Sequence, residues 1–122
     1  MKIAIPVEEK SINTNVCVSF GRTPYFLIYD TETNEENYIS NSAAQAQGGA
    51  GIKAGQIVID AGAKAVIIPR LGQNAADVLT AGNIKLYKND FGSAKHNIEL
   101  LKEGKLVPLT DFHAGFHGHG GF

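Results

Sequence analysis

Gly48-Gly49-Ala50-Gly51-Ile52, followed by Ala65-Val66-Ile67-Ile68-Pro69-Arg70-Leu71-Gly72-Gln73-Asn74-Ala75, decides how the rest of the chain is read. Between Asn41 and Leu79 this stretch spells glycine loop, helix, buried strand, second loop and second helix. The apolar residues Ile52, Ile57, Val58 and Ala61 suit one helical face, and Gly62 is placed to stop that helix. Ala65 to Pro69 lacks alternation, as expected of a strand covered on both faces. Ala75, Val78 and Leu79 predict a second short helix that Gly82 can end. Both loops therefore deliver a helix N-terminus, where glycine lets backbone approach a ligand and unpaired N–H groups attract an anion.

Working outward, Lys2 to Val7 predicts a short strand near the centre of a sheet. Ser11 to Val18 is polar and predicts a loop ending in an extended Val16-Cys17-Val18. Tyr25 to Asp30 predicts a second strand. Thr31-Glu32-Thr33-Asn34 carries turn chemistry, so Glu35 to Ser40 returns as an antiparallel partner. Ile84 to Tyr87 predicts the last strand, and Ser93 to Glu103 a third helix with Ser93 as N-cap and Gly104 as stop. This order predicts a mixed sheet with helices packed on it.

With 122 residues the chain suits one domain, here residues 1–110, followed by a flexible Gly/His-rich tail over 111–122. Eleven Lys and Arg against twelve Asp and Glu leave a formal charge of −1, so no global field recruits nucleic acid or an anionic membrane. The single cysteine, Cys17, cannot close an internal disulfide and fits a reducing compartment. No apolar run is long enough for a signal peptide or a bilayer span, which makes the cytoplasm the expected location.

Met1-Lys2-Ile3-Ala4-Ile5-Pro6-Val7, Phe20-Gly21-Arg22-Thr23-Pro24-Tyr25-Phe26, Gly48-Gly49-Ala50-Gly51-Ile52 and Gly72-Gln73-Asn74-Ala75 together resemble the dinitrogenase iron-molybdenum cofactor biosynthesis family. The resemblance spans nearly the whole chain in the right order. It implies an α/β, three-layer ribonuclease H-like fold, with a mixed sheet of about five strands and helices on both faces. It also implies a nitrogen fixation-related carrier or chaperone of an iron-molybdenum or other metal-sulfur cluster, akin to nitrogenase accessory and orange-protein-like carriers. Cluster donor and acceptor proteins would be its partners. Many relatives carry a histidine before the Phe-Gly pair; here the position is Ser19, a weak ligand for soft metals. The alternative is therefore a regulatory or interaction module that keeps the fold without the cluster.

The cofactor-binding set expected from these motifs is Cys17, Ser19, Phe20, Gly21, Gly49, Gly51, Arg70, Gly72 and Asn74. Cys17 has two readings. In an extended segment it shares a face with Ser19 and can substitute as ligand; otherwise it is a small buried residue of Val-Cys-Val. His113, His117 and His119 form a second candidate set, three imidazoles able to gather on one transition metal ion, or else a solvent-exposed tail binding metal adventitiously. His96 reads as an ordinary helix residue. Arg22 and Arg70 read as anion-pairing or plain surface charges.

Enzyme readings have little support. Gly49-Ala50-Gly51-Ile52-Lys53-Ala54 matches a dinucleotide fingerprint in form, but no apolar strand directly precedes it. No nucleotide-hydrolysing P-loop sequence is present. A nuclease of this architecture would need an acid on the first strand, and Lys2 to Val7 has none. A Cys or Ser hydrolase would need a histidine base, and three of the four histidines lie in the tail.

Overall fold

A computed structural model describes residues 1–113. Five strands form one sheet in the order β3-β2-β1-β4-β5. They are β1 (Lys2–Val7), β2 (Tyr25–Asp30), β3 (Glu36–Ser40), β4 (Ala63–Ile68) and β5 (Lys85–Lys88). Three helices accompany them: α1 (Ala50–Asp60), α2 (Gln73–Ala81) and α3 (Ala94–Lys102). β1 pairs antiparallel with β2, and β2 with β3, whereas β1, β4 and β5 run parallel. The sheet is thus mixed, with β1 at its centre.

Side-chain parity sorts the core into two layers. Ala4, Phe26, Ile28, Val66 and Ile68 face α1 and α2 and pack on Ala54, Val58, Ala76 and Leu79. Ile3, Ile5, Val7, Leu27, Ala65 and Ile67 face the other way and meet Ala94 and Ile98 of α3. Helices therefore cover both faces, the expected three layers. Covered on both sides, β1 and β4 need apolar residues at odd and even positions alike.

Local chemistry sets the element ends. Asn34 takes the left-handed turn position (φ 63°) between β2 and β3, and its N–H donates to the Asp30 carbonyl at 2.7 Å. Gly62 (φ 84°) follows α1 and leads directly into β4. After α2 the left-handed residue is Asn83 (φ 61°), not Gly82. Gly82 is still the C-cap that ends α2, its N–H donating to the Val78 and Leu79 carbonyls at 3.1 Å, and a Cβ there would meet the end of the Ile59 side chain at 2.9 Å.

Ser93 caps α3, its hydroxyl accepting from the His96 N–H at 3.1 Å. His96 Nε2 also lies 2.9 Å from Asp90 Oδ2. That hydrogen bond from His96 is the main reason the exposed Asp90 carboxyl stays below its ordinary 3.8. A carboxylate depressed by folding contributes stability above its unfolded pKa and loses it as pH falls through the folded value. Asp90→Asn is accordingly expected to lower the melting temperature slightly near neutral pH, with the difference vanishing as pH falls through the depressed value of the folded carboxyl. Thermal unfolding at a series of pH values checks this.

Pro6 sits in the central strand, where a missing N–H would normally break a ladder. Here β1 pairs with β4 only at Lys2, Ile3 and Ala4. Beyond Ala4 the strand's free side is taken over by the following loop: the Cys17 N–H donates to the Pro6 carbonyl at 2.8 Å, and Val7 bridges Val16. β1 and β4 thus part company toward their C-terminal ends.

Candidate functional site

In open α/β sheets ligands lie outside the C-terminal ends of parallel strands, where neighbouring connections leave in different directions. β1 and β4 provide such a place. The loop after β1 carries Phe20-Gly21, the loop after β4 carries Arg70-Leu71-Gly72, and both reach the starts of α1 and α2. Between them opens a cleft of about 700 Å³.

Of the cofactor-binding set expected from sequence, Ser19, Phe20, Gly21, Gly49, Gly51, Arg70, Gly72 and Asn74 line this cleft. Cys17 does not. The chain bends at Val18, which breaks the period-two alternation that placed Cys17 and Ser19 on one face. Cys17 is therefore buried at 6 % exposure and outside the cleft lining while Ser19 borders it, the placement that the small buried reading of Val-Cys-Val expects.

The cleft's floor and walls are held by specific contacts. Phe20 is buried and packs on Phe26 with ring centroids 5.1 Å apart. The Ser19 hydroxyl accepts from the Arg22 N–H at 3.0 Å, tightening the turn that presents Gly21. Gly21 touches backbone: a Cβ added there would lie 3.0 Å from Gly51 N and 3.1 Å from Ala50 C. Because those atoms belong to the first turn of α1, they cannot swing aside. Gly21→Ala is expected to lower unfolding stability by about 1–3 kcal/mol, read by urea denaturation, and to displace the α1 start that borders the cleft.

Asn41, buried at 5 % exposure, ties the two rims together. Its Nδ2 donates to the Gly21 carbonyl at 3.0 Å and the Thr23 carbonyl at 2.9 Å, and its Oδ1 accepts from the Ala43 N–H at 3.1 Å. The last bond caps a single 3₁₀ turn, Ser42–Gln45. Arg22 grips the same turn, with Nη1 donating to the Ala44 carbonyl at 2.9 Å and also to that of Ala46. The long-range partners of Asn41 and Arg22, 18 to 24 residues away, gave no signal in the sequence, so this tether was missed there.

Both helix starts in the cleft lack a side-chain cap. Gly49, in the left-handed conformation (φ 68°), precedes α1, and Gly72 precedes α2; neither helix has an acidic residue in its first turn. The lining also contains no Asp or Glu, while Arg22 and Arg70 both border it. Arg70 makes no hydrogen bond or ion pair within the described residues. Partial positive charge at two helix ends and a guanidinium without a partner make this a favourable place for an anion. The two starts are also close together, since a Cβ at Gly51 would lie 3.2 Å from Ala75 Cβ of α2.

His113 is the one candidate metal ligand of the histidine set inside the described residues; His117 and His119 lie outside them. Its N–H donates to the Leu71 carbonyl at 3.2 Å, and its carbonyl accepts from the Gln73 N–H at 2.9 Å. The pairing holds residue 113 alongside Gly72, and a Cβ at Gly72 would meet the imidazole at 3.3 Å. His113 thereby joins the cleft lining. No group of three or more His, Cys, Asp or Glu side chains able to hold a metal ion exists among the described residues. No helix among them is long and apolar enough to cross a membrane.

Fold and cleft together define a three-layer α/β domain with a cleft at the C-terminal ends of its central parallel strands, lined by two uncapped helix starts and two arginines. The chain belongs to the dinitrogenase iron-molybdenum cofactor family, whose sequence profile matches residues 1–104. Its fold is similar to that of the apo form of the orange protein from Desulfovibrio gigas (26% identity, TM-score 0.84, covering 89% of this chain and 92% of that one). It is also similar to a NifB-like protein from Thermotoga, with 34% identity, TM-score 0.79 and coverage of 91% and 95%. A dinitrogenase-like protein from Methanocaldococcus jannaschii, 20% identical with TM-score 0.66 over 91% and 96% of the chains, shares the fold. Among curated proteins none matches.

Proposed function

We propose that the chain is a small, non-catalytic carrier or chaperone of an anionic metal species. The cargo is an iron- or molybdenum-containing cluster or a related metal oxyanion. One observation carries the reading: two uncapped helix N-termini and Arg70 open into a single cleft whose lining has no carboxylate. Main-chain N–H groups and a guanidinium hold an anion by charge-assisted hydrogen bonds without ligating the metal. This suits a carrier, because cargo bound through its outer atoms can be handed on without breaking metal–protein bonds. The family and the orange protein from Desulfovibrio gigas lend the reading support. The same reading assigns cluster donor and acceptor proteins as partners, the cytoplasm as location, and His113, His117 and His119 to a transition metal.

A second reading, a regulatory or interaction module without a cluster, draws on Ser19 and on the lack of a ligating side-chain group among the described residues. Anaerobic purification without an affinity tag, followed by metal analysis and visible absorption, separates the two. Stoichiometric molybdenum or iron with a charge-transfer band supports the carrier. A colourless, metal-free protein that also fails to take up cluster supports the module.

A further inference from the structure

We infer that the free edge of β3 is a self-association surface, on which two copies of this chain pair antiparallel about Tyr38 and join their five-stranded sheets into one. This surface is independent of the carrier reading, because it is made of backbone groups away from the cleft lining.

Antiparallel ladders alternate, so every second residue turns its N–H and C=O toward the neighbouring strand and the rest turn them away. The Asp30 N–H donates to the Glu35 carbonyl at 3.0 Å, and the Asn41 N–H to the Pro24 carbonyl at 3.0 Å. With an unbroken register between those two points, Asn37 and Ile39 bond to β2, and Glu36, Tyr38 and Ser40 face outward. No hydrogen bond among the described residues uses their main-chain groups. The sheet's other edge is different. There the chain covers itself, the Lys88 N–H donating to the Val107 carbonyl and the Leu109 N–H to the Leu86 carbonyl, both at 2.9 Å. β3 also lacks the devices that blunt an edge: it has no proline, no lysine and no bulge.

Self-complementarity names the occupant. A second β3 meets all three outward residues in one register, centred on Tyr38, which sets Tyr38 opposite the partner's Tyr38 and Glu36 opposite the partner's Ser40. A shift by two residues leaves an outer pair of groups unmet, and a larger shift brings Glu36 against the partner's Glu36, which is unfavourable. In the centred register each carboxylate meets a hydroxyl instead, and two half-buried tyrosine rings lie side by side, a favourable cross-strand pair. The twofold contact uses up the free edge of both copies, so association stops at two. Since β3 runs in the same direction as β1, the two clefts open toward opposite ends of the joined sheet.

Sedimentation velocity of the full-length protein over about 10 µM to 1 mM tests this, a range suited to a contact shorter than a standard interface. Monomer is expected to pass to dimer with no larger species. Amide hydrogen exchange at Glu36, Tyr38 and Ser40 is expected to slow as concentration rises, while Asn37 and Ile39, already bonded to β2, are slow at every concentration. Exposed Ser40 supplies a test of sign. Ser40→Glu sets carboxylates opposite each other at both ends of the contact and is expected to weaken the dimer about 10-fold, whereas Ser40→Lys sets an ammonium opposite Glu36 and is expected to tighten it a few-fold. Both differences should shrink in high salt. Melting temperatures of the dilute proteins report whether either change disturbs the fold. A chain that stays monomeric throughout the range, or a dimer whose strength the two substitutions leave unchanged or shift the same way, would overturn the inference.

Discussion

Asn41→Leu is expected to lower unfolding stability by about 2–4 kcal/mol, seen as a melting-temperature drop on the order of 10 °C. Leucine keeps the branching of asparagine at Cγ but is bulkier, so some overpacking adds to the loss. The rest comes from polar groups left behind: the Gly21 and Thr23 carbonyls and the Ala43 N–H each give up the partner that Asn41 supplies. Burial of the side chain at 5 % exposure keeps water from replacing it fully. A buried group stripped of its partner costs its desolvation, which exceeds the net worth of the bond it made. The substitution also releases the Gly21 turn from the 3₁₀ turn, so molybdate binding should weaken along with stability. Asn41→Asp keeps the acceptor for Ala43 but not the two donors, and is expected to fall between. Denaturant titration of the three proteins gives the ordering; a leucine variant as stable as the parent would show that the two rims hold without the amide.

Much of this architecture was legible because each element carried a local signal. β1 and β2 begin and end where their apolar runs do, and Ser93 and Gly104 frame α3 through cap chemistry. α2 runs from Gln73 to Ala81, longer than Ala75 to Leu79, because periodicity marks only the buried stripe and Gln73 and Asn74 face out. α1 likewise begins at Ala50, not Ile52, since its first turn is built of small residues beside the Gly21 backbone. The cleft loops were readable from glycines at helix starts, where backbone must be approached closely. Contacts between distant residues were not. The bend at Val18 that separates Cys17 from Ser19, the grip of Arg22 on the Ala44 and Ala46 carbonyls, and the pairing of His113 with Leu71 and Gln73 depend on tertiary placement. In the last two cases main-chain atoms form half or all of the contact, and they leave no trace in residue identity.

Arg70→Gln is expected to weaken molybdate binding about 10- to 100-fold, the loss of one or two charge-assisted hydrogen bonds. Arg70 is exposed and has no partner within the described residues, so its removal breaks no internal contact. Thermal stability should therefore hold while affinity falls. Arg22→Gln provides the contrast. Arg22 borders the same cleft but its guanidinium is engaged with the Ala44 and Ala46 carbonyls, so that change should cost stability as well as affinity. Arg70→Lys keeps the charge without the planar pair of donors and should recover part of the loss. Because the cleft is open to solvent, added salt should screen the Arg70 contribution, narrowing the gap between parent and Arg70→Gln. Isothermal titration at low and high ionic strength measures both effects. If Arg70→Gln binds molybdate as tightly as the parent at low salt, the anion is held by main-chain N–H groups alone. The two helix starts would then have to carry the whole of the recognition, and Gly49 and Gly72 would become the positions to test next.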